Sequence, residues 1–372
     1  MAVRESPHAH GTVGPDAAGR RIIELAPEDP RWQSYVSRSA DALPYHYPAW
    51  SAVLHETFGF RPATLGCTDP AGQVTGILPL VEKRSLLTGL HLTSLPCSPS
   101  AGPVADDLAS TRALLASAAA RVDGSAARWL QVKVMSSALR SPVDGFSHVV
   151  WDPTYVLDLP ADPAQLRFRN PRNHAAVMRL IRQADRQDVI VREASSLRDV
   201  RRWYGLYLET VRAHGVPPRP FRLFEAMWQM LAPEDRRLLL AEKHIGGKTE
   251  LLGGCFYLCA GQTMVFAFNG RDRTKPHLRA NEALHWRAIT DACAAGFGRY
   301  DFGEPCNSGL QRFKEKWGTR PVGIYRYQYP RRRELERGAL GPGSLRNTAE
   351  RAWRHVPLPV TSRLGGWIYR HL

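Results

Sequence analysis

The chain has 372 residues, enough for two domains of ordinary size, and its hydrophobic fraction of 44% allows each of them a buried core. The formal net charge of +15 suits phosphate-bearing ligands, RNA or an anionic membrane surface. No apolar run approaches the roughly 20 residues that cross a membrane, and the N-terminus lacks the apolar segment of a signal peptide. We therefore expect a cytoplasmic protein, with the inner face of the membrane as an alternative location.

The cysteines of the sequence form no CxxC pair and stand near no histidine cluster. Cys255 and Cys259 lie four residues apart in a strand-like run, so both are expected to point to one face of a sheet. We predict that they are buried as small apolar side chains, and we predict neither a disulfide framework nor a metal site. This usage indicates a reducing compartment.

Residues 1–20 are expected to be disordered, and residues 21–150 to form a first unit. In chain order this unit is predicted to contain a strand, two helices, a hairpin, a proline-rich extended segment, a helix and a strand. The helix that begins at Pro48 should end near Gly59, because proline favours a first helical position and glycine the position after the last. The Asp-Pro-Ala-Gly turn at residues 69–72 indicates the hairpin.

Residues 151–330 are predicted to form a second, similar unit, whose last strand is able to return to the first. Its predicted order is a strand, a helix interrupted by proline, a strand, two helices, a three-strand meander, a helix, a short strand, a short helix and a final strand. Residues 331–372 are predicted to be a tail with two short helices. The tail either docks on the body or lies on a membrane surface, because Arg, Trp, Ile and Leu alternate in it.

A basic helix is predicted within residues 167–186, where Asn170 and Pro171 are good N-cap and first-turn residues. At about 100° per residue its apolar side chains share one face and its arginines the opposite face. That second face is either solvated or a basic wall along a cleft for a phosphorylated or nucleic-acid substrate. Its arginines are Arg172, Arg179, Arg182 and Arg186.

Two further segments suit anionic ligands. Arg212 and Arg219 flank a Gly-Val-Pro-Pro bend, and a loop stiffened by prolines could aim a guanidinium group at phosphate. Asn281 is predicted to be the N-cap of a helix, whose free N–H groups would attract anions. The loop KPHLRAN before it has no glycine, which weighs against a close approach of the pyrophosphate of acetyl-CoA. The basic residues around this corner are Arg271, Arg273, Lys275 and Arg279.

The run from Asn281 to Gly318, which ends in NSGLQRFKEKWG, resembles the signature of the Fem (FemAB-like) family of aminoacyl transferases and their relatives. The preceding segments YGLYLETVRAHGVPPRPF and LLGGCFYLCAGQTMVFAFNG are similar to the family in the same order. In the first half, YHYPAWSAVLHETFGF and LTSLPCSPSAGP look like the version in relatives that are linked to exopolysaccharides. The resemblance covers residues 45–330.

The resemblance implies an α/β protein with mixed sheets, built as two tandem GNAT-like domains around a cleft. In that cleft an amine acceptor would meet an activated acyl or aminoacyl ester. Lys314 matches the family's lysine that stabilises charge during acyl transfer, and Phe313 would pack beside it. The family also has a basic residue after a helix tryptophan, which contacts substrate phosphate. Here Trp50 is followed by SAVLHETFG, with His55 as the nearest basic group, which departs from the pattern.

The chemistry is consistent with this role. Attack of an amine on an ester builds an oxyanion, and a fixed cation in a dry cleft stabilises it. We predict Lys314 as that cation and Glu304 as the general base. The predicted substrate-binding residues are Phe313, Arg212, Arg219, Arg179, Asn269 and Trp50, and the predicted donor-binding residues are Arg279 and Asn281.

The sequence therefore predicts an N-acyltransferase of cell-envelope, exopolysaccharide or secondary-metabolite synthesis, working by direct transfer in a ternary complex. No tightly bound cofactor is expected, and either acyl-CoA or aminoacyl-tRNA is the co-substrate. The acceptor would be an amine-bearing small molecule, glycan or peptide. The alternative is a catalytically idle protein that binds RNA or an anionic membrane surface through its arginines.

Overall fold

The computed structural model describes residues 19–86, 88–135, 139, 143–305, 307–331 and 358–371. The predicted disorder of the first residues and the first helix of the tail lie outside these ranges. Among the described residues, no helix combines the length and the hydropathy that crossing a membrane requires.

The N-terminal half of the chain alternates short strands with three helices, and a 3₁₀ turn at Pro44–His46 precedes the second helix. Its elements are β1 (Arg21–Leu25), α1 (Pro30–Arg38), α2 (Pro48–Phe58), β2 (Arg61–Pro62), β3 (Thr64–Thr68), β4 (Val74–Leu78), β5 (Leu80–Ser85), β6 (Gly89–Ser94), β7 (Val104–Ala105), α3 (Leu108–Asp123) and β8 (Leu130–Met135).

The C-terminal half contains the longest strands of the described residues and includes the predicted three-strand meander. Its elements are β9 (Ser147–Asp158), α4 (Pro171–Arg186), β10 (Ile190–Glu193), α5 (Leu197–Ala213), α6 (Phe221–Met230), β11 (Arg236–Ile245), β12 (Lys248–Ala260), β13 (Thr263–Arg271), α7 (Ala280–Ala294), β14 (Arg299–Asp301), α8 (Ser308–Glu315), β15 (Arg320–Tyr329) and α9 (Leu358–His371).

The described strands form two sheets. A four-stranded sheet has the order β1-β3-β4-β7, and an eleven-stranded sheet has the order β10-β11-β12-β13-β14-β9-β15-β8-β6-β5-β2. Strand β15 lies between the halves, because it pairs antiparallel with β9 on one side and with β8 on the other. One continuous sheet therefore runs through both halves of the chain.

Helices cover both faces of the large sheet in the C-terminal half. Helices α4 and α7 enclose one core with the meander, and this core contains Cys255, Cys259 and Trp317. Helices α5 and α6 pack on the opposite face together with α2 of the N-terminal half. The two cysteines are free and buried, as their spacing predicts.

Local signals in the sequence account for the helix bounds. Asn170 accepts a hydrogen bond of 2.9 Å from the backbone N–H of Asn173, and Pro171 is the first residue of α4. Gly59 ends α2 in the left-handed conformation at φ 72°, which glycine adopts without strain. The arginines on the outer face of α4 are all exposed, and they are Arg172, Arg179, Arg182 and Arg186.

The predicted N-cap of α7 is wrong. The helix begins at Ala280, and Arg279 occupies the N-cap position at φ 59° without a capping side chain. The reason is the 3₁₀ turn at Pro276–Leu278, which leads the chain into the helix earlier than the asparagine. Asn281 consequently lies inside the first turn.

Candidate functional site

An opening in the large sheet lies between β13 and β9. Strands β13 and β14 pair in parallel only over Thr263–Val265 and Arg299–Asp301, whereas β13 continues to Arg271. A bulge at Ala267 bends β13 where this pairing stops. Residues 266–269 are consequently only partly buried and border the opening.

The chain crosses this opening as a turn at residues 303–305, which we call the Glu304 turn. Gly303 has φ 74°, a conformation that glycine adopts readily. The ammonium group of Lys314 donates hydrogen bonds of 2.7 Å to the carbonyl oxygen of Gly303 and 2.8 Å to that of Glu304. Lys314 is 4% exposed, so it is a buried residue that holds the turn and not a surface charge.

An aromatic cluster surrounds the helix that carries Lys314. Trp317 is fully buried, and the ring centroid of Phe313 lies 5.4 Å from that of His285. His285 shares a hydrogen bond of 2.7 Å with the hydroxyl group of Tyr300. Burial, and then the nearby charge of Lys314, lowers the pKa of His285 to about 3. The imidazole is therefore neutral at physiological pH and belongs to the packing around the lysine.

The carboxylate of Glu304 points away from Lys314. It accepts a hydrogen bond of 3.0 Å from the indole N–H of Trp151 on β9. Burial raises the pKa of Glu304, and this effect is opposed by Trp151, Arg326 and Lys133. The guanidinium carbon of Arg326 lies 3.2 Å from the ring centroid of Trp151. Thus the backbone carbonyl groups of the turn bind Lys314, whereas the carboxylate of Glu304 interacts with Arg326 and Lys133.

Two buried lysines come from the N-terminal half, and neither was predicted as a site residue from the sequence; one of them, Lys133, acts on Glu304. Lys133 on β8 is 8% exposed and donates hydrogen bonds to the carbonyl oxygens of Leu95 and Ser98. Burial and then Arg326 lower its pKa to about 7. Lys83 on β5 is 6% exposed, and burial lowers its pKa to about 8. Both lysines lie close enough to Arg219 for its charge to contribute to these shifts.

The backbone of Arg219 is held by two tyrosine hydroxyl groups. Its backbone N–H donates to the hydroxyl group of Tyr207 at 3.0 Å, and its carbonyl oxygen accepts from Tyr204 at 2.9 Å. Its guanidinium carbon lies 3.5 Å from the ring centroid of Tyr369 on α9. Its Nη1 atom is buried and has no hydrogen-bond partner within the described part of the chain. We call Lys83, Lys133, Arg219, Glu304 and Arg326 the interdomain cluster.

The other predicted site residues lie apart from this cluster. Arg179 is exposed on α4, on the opposite face of the sheet, and Arg212 is half-buried near the end of α5. Trp50 is 1% exposed in the core, where its ring packs edge-on against that of Tyr45 at 5.3 Å. Asn269 is half-buried beside the opening and accepts a hydrogen bond from Cys255.

The predicted donor-binding residues lie at the start of α7. Arg279 donates a hydrogen bond of 3.3 Å from Nε to the side chain of Gln183 on α4. The side-chain oxygen of Asn281 is buried and has no partner among the described residues. These two residues lie on the α4 side of the sheet, whereas Arg219 lies on the α5 side.

Comparisons with known proteins agree with this architecture. Residues 171–315 match the acetyltransferase (GNAT) domain family. The structure of FemX is 15% identical and superposes with a TM-score of 0.67, covering 83% of this chain and 96% of that chain. The C-terminal domain (DUF2156) of a putative lysylphosphatidylglycerol synthetase from Agrobacterium fabrum is 12% identical, with a TM-score of 0.57, covering 84% of this chain and 93% of that chain. No curated protein sequence matches the chain significantly.

The fold and the domain match together define the architectural class: this chain has a GNAT fold, and its C-terminal half matches the acetyltransferase (GNAT) domain. The expected tandem GNAT architecture is confirmed, and FemX shares it. Residues 171–315 form the GNAT domain of the C-terminal half.

Proposed function

We propose that this protein transfers an acyl or aminoacyl group from an activated ester to the amine of an anionic acceptor, with both substrates bound beside the interdomain cluster. The observation that carries this proposal is a group of four neighbouring cationic side chains from both halves, two of which, Lys133 and Arg326, act on the partly buried Glu304. Cations so close together repel one another, and a bound phosphate or carboxylate would relieve that repulsion. Arg219 supplies a buried donor without a partner in the described residues, which suits the same anion.

The Glu304 turn supplies the proposed chemistry. The amine nitrogen attacks the carbonyl carbon of the ester, a C–N bond forms, and the C–O or C–S bond to the leaving group breaks. The proton lost by the amine goes to the carboxylate of Glu304, whose pKa is raised by burial, and from there to the departing oxygen or sulfur. Lys314 acts as a positioning residue, because its ammonium group binds the two carbonyl oxygens that orient the turn. Its positive charge also favours an oxyanion nearby.

The first turn of α7 bears on the identity of the donor. Glu282 lies in this turn, is 8% exposed and forms an ion pair of 3.0 Å with Lys316. A carboxylate at this position already interacts with the positive end of the helix dipole. Together with the absence of glycine in the loop KPHLRAN, this disfavours the binding of a CoA pyrophosphate there. Aminoacyl-tRNA is therefore our first candidate donor and acyl-CoA the second.

The acceptor is proposed to belong to cell-envelope, exopolysaccharide or secondary-metabolite synthesis, where amines on anionic carriers are acylated. A transfer assay read by mass spectrometry tests the proposal with acetyl-CoA and charged tRNA as donors. The acceptors are matched pairs, namely ethanolamine with phosphoethanolamine and glucosamine with glucosamine 6-phosphate. We expect acylation of the phosphorylated member of a pair at the higher kcat/KM.

The alternative of a catalytically idle protein that binds RNA or anionic membrane predicts no acylated product with any pair. It also predicts binding of RNA or anionic vesicles that falls steeply with salt. That combination of results would overturn the transfer reaction. Acylation of the neutral and phosphorylated acceptors at equal rates would overturn only the anionic part of the proposal.

A further inference from the structure

A polar cavity lies between the two halves, next to the paired part of β14. Its volume is about 200 Å³. The N-terminal half contributes residues from the segments 41–46 and 100–105, and the C-terminal half contributes β14 with parts of β9, β13 and β15. A cavity of about 150 Å³ accommodates benzene, so this one has room for about eight non-hydrogen atoms.

Two buried polar groups of the cavity wall have no partner among the described residues. Asp301 is 1% exposed, and its Oδ2 atom makes no hydrogen bond. Thr263 is 2% exposed, and its Oγ1 atom is also unsatisfied. A buried polar atom left without a partner costs about 1–3 kcal/mol, so such atoms normally bind a ligand or ordered water.

The other oxygen of Asp301 is already in use. Its Oδ1 atom accepts hydrogen bonds from the hydroxyl group of Thr154 and from the backbone N–H of Gly303, the latter at 2.7 Å. Burial raises the pKa of Asp301, because a carboxylate is poorly solvated there. A cation placed at Oδ2 would compensate the negative charge. His46, which also lines the cavity, cannot be that cation, since its Nδ1 accepts from the N–H of Leu43 and its Nε2 therefore donates to Gly102.

The wall also contains a group that could bind the negative end of a zwitterion. Arg299 lines the cavity and uses Nη2 to bind the carbonyl oxygen of Ala40. A guanidinium group has five N–H donors, so Arg299 is able to bind a carboxylate as well. Arg320 also lines the cavity but forms two hydrogen bonds with Asp158, at 2.9 and 3.1 Å. The apolar part of the wall consists of Leu43, Val104, Val134, Met135, Val156 and Val322, and Asp41, Ser100 and Thr111 add polar groups.

We propose that this cavity binds a free α-amino acid with a small apolar side chain, its ammonium group on Asp301 and Thr263 and its carboxylate on Arg299. The proposal does not depend on the transfer reaction. A ligand bound to Asp301 would nevertheless affect the position of the Glu304 turn. Asp301 accepts a hydrogen bond from the N–H of Gly303, and Lys314 donates one to the carbonyl oxygen of Gly303.

Isothermal titration of the intact protein with L-valine and L-alanine tests the proposal. Isobutylamine lacks only the carboxylate of valine, and isovalerate lacks only its amine. We expect saturable binding of the amino acids and at least tenfold weaker binding of both analogues. No saturable binding at millimolar concentrations would show that water alone fills the cavity and would overturn the proposal. Equal binding of either analogue would overturn the assignment to a zwitterion.

Variants locate the binding in this cavity. Asp301→Asn keeps the shape of the side chain and removes its charge, and Thr263→Val removes the hydroxyl group. Each is expected to weaken binding of L-valine at least tenfold, whereas Asp185→Asn, at an exposed position on α4, should leave it unchanged. Wild-type affinity in a folded Asp301→Asn or Thr263→Val protein would place the ligand elsewhere. If one of the two variants does not fold, the other variant and the two analogues still test whether a zwitterion binds in this cavity.

Discussion

The ammonium group of Lys314 binds the carbonyl oxygen of Gly303 at 2.7 Å and so connects α8 to the end of β14. The bond spans the opening in the sheet beside β13, and a second bond to Glu304 at 2.8 Å completes the contact. The lysine of the NSGLQRFKEKWG run therefore acts first on the backbone. Its effect on an acyl transfer would operate through the shape and the electrostatic potential of the turn.

Replacing Lys314 should impair both stability and turnover. In Lys314→Ala the two carbonyl oxygens lose their buried donor, at a cost of about 1–3 kcal/mol each. Loss of a stabilising cation near an oxyanion lowers kcat by about 100-fold or more. Calorimetry and the transfer assay measure the two effects, with Lys248→Ala at the exposed start of β12 as the control. A folded Lys314→Ala enzyme with wild-type kcat would exclude any contribution of this lysine to the reaction.

The pH profile should identify Glu304 as the base. A general base works when deprotonated, so kcat/KM should rise with pH through the pKa of this group. Because burial raises that pKa, the acidic limb is expected above the ordinary range of a glutamate. Glu304→Gln retains an acceptor for Trp151, removes the limb and lowers kcat/KM by about 10²–10⁴-fold. An unchanged limb in the variant would assign the titration to another group, of which Lys133 is the first to test.

Arg219 should discriminate between anionic and neutral acceptors. We expect Arg219→Ala to raise KM at least tenfold for a phosphorylated acceptor and to change it little for the neutral partner. The matched control is Arg222→Ala, since Arg222 is exposed on α6 and forms a surface ion pair with Glu56. Equal effects of the variant on both acceptors would mean that Arg219 supports the loop and does not bind the anion.

The docking of α9 should depend on a single glycine. A Cβ atom on Gly365 would lie 2.1 Å from the carbonyl oxygen of Pro218, whereas one on Gly366 would lie 3.4 Å from the side chain of Pro220. Gly365→Ala therefore has to displace the helix or the loop that carries Arg219, and should lower Tm by several degrees. Gly366→Ala is expected to have a much smaller effect. The same Tm in both variants would show that α9 does not bind this loop tightly.

Because two histidines are buried, we expect the free energy of unfolding to fall at acidic pH. Burial lowers the pKa of His46 to about 4 and that of His285 to about 3, below the ordinary value of 6.5. Between pH 6.5 and 4 the unfolded chain thus binds more protons than the folded chain, and stability falls with falling pH. Each histidine contributes a slope of up to about 1.4 kcal/mol per pH unit. Denaturant titrations across this window should show a shallower slope for His46→Asn, and an unchanged slope would contradict the neutral assignment.

Local chemistry made much of the fold predictable. Asn170 with Pro171, the turn at residues 69–72 and Gly59 act within a few residues of themselves, and the structure has the elements that they predict. The predicted N-cap of α7 was wrong because that prediction also relied on local chemistry alone. Asn281 is a good capping residue, but the 3₁₀ turn before it is set by packing that a local pattern does not include.

The candidate site was predictable only where its residues lie close together in sequence. Lys314, Glu304 and Phe313 fall within one short run, and Arg219 lies in a loop marked by prolines. Lys133 was missed because the alternation in RWLQVKVM suggests that it faces solvent. It is buried because the segment that contains Leu95 and Ser98 packs over it and accepts its hydrogen bonds, and a contact over such a distance in sequence leaves no local signal.

The pairing of β15 with both β8 and β9 has a mechanical consequence. Two domains joined by a flexible linker could open by a hinge motion to admit a large substrate. Here such a motion would break a ladder of backbone hydrogen bonds at the centre of the molecule, which is far costlier than bending a hinge. Substrates would therefore enter a cleft of nearly fixed width. Access to that cleft would be controlled by movement of peripheral segments such as α9.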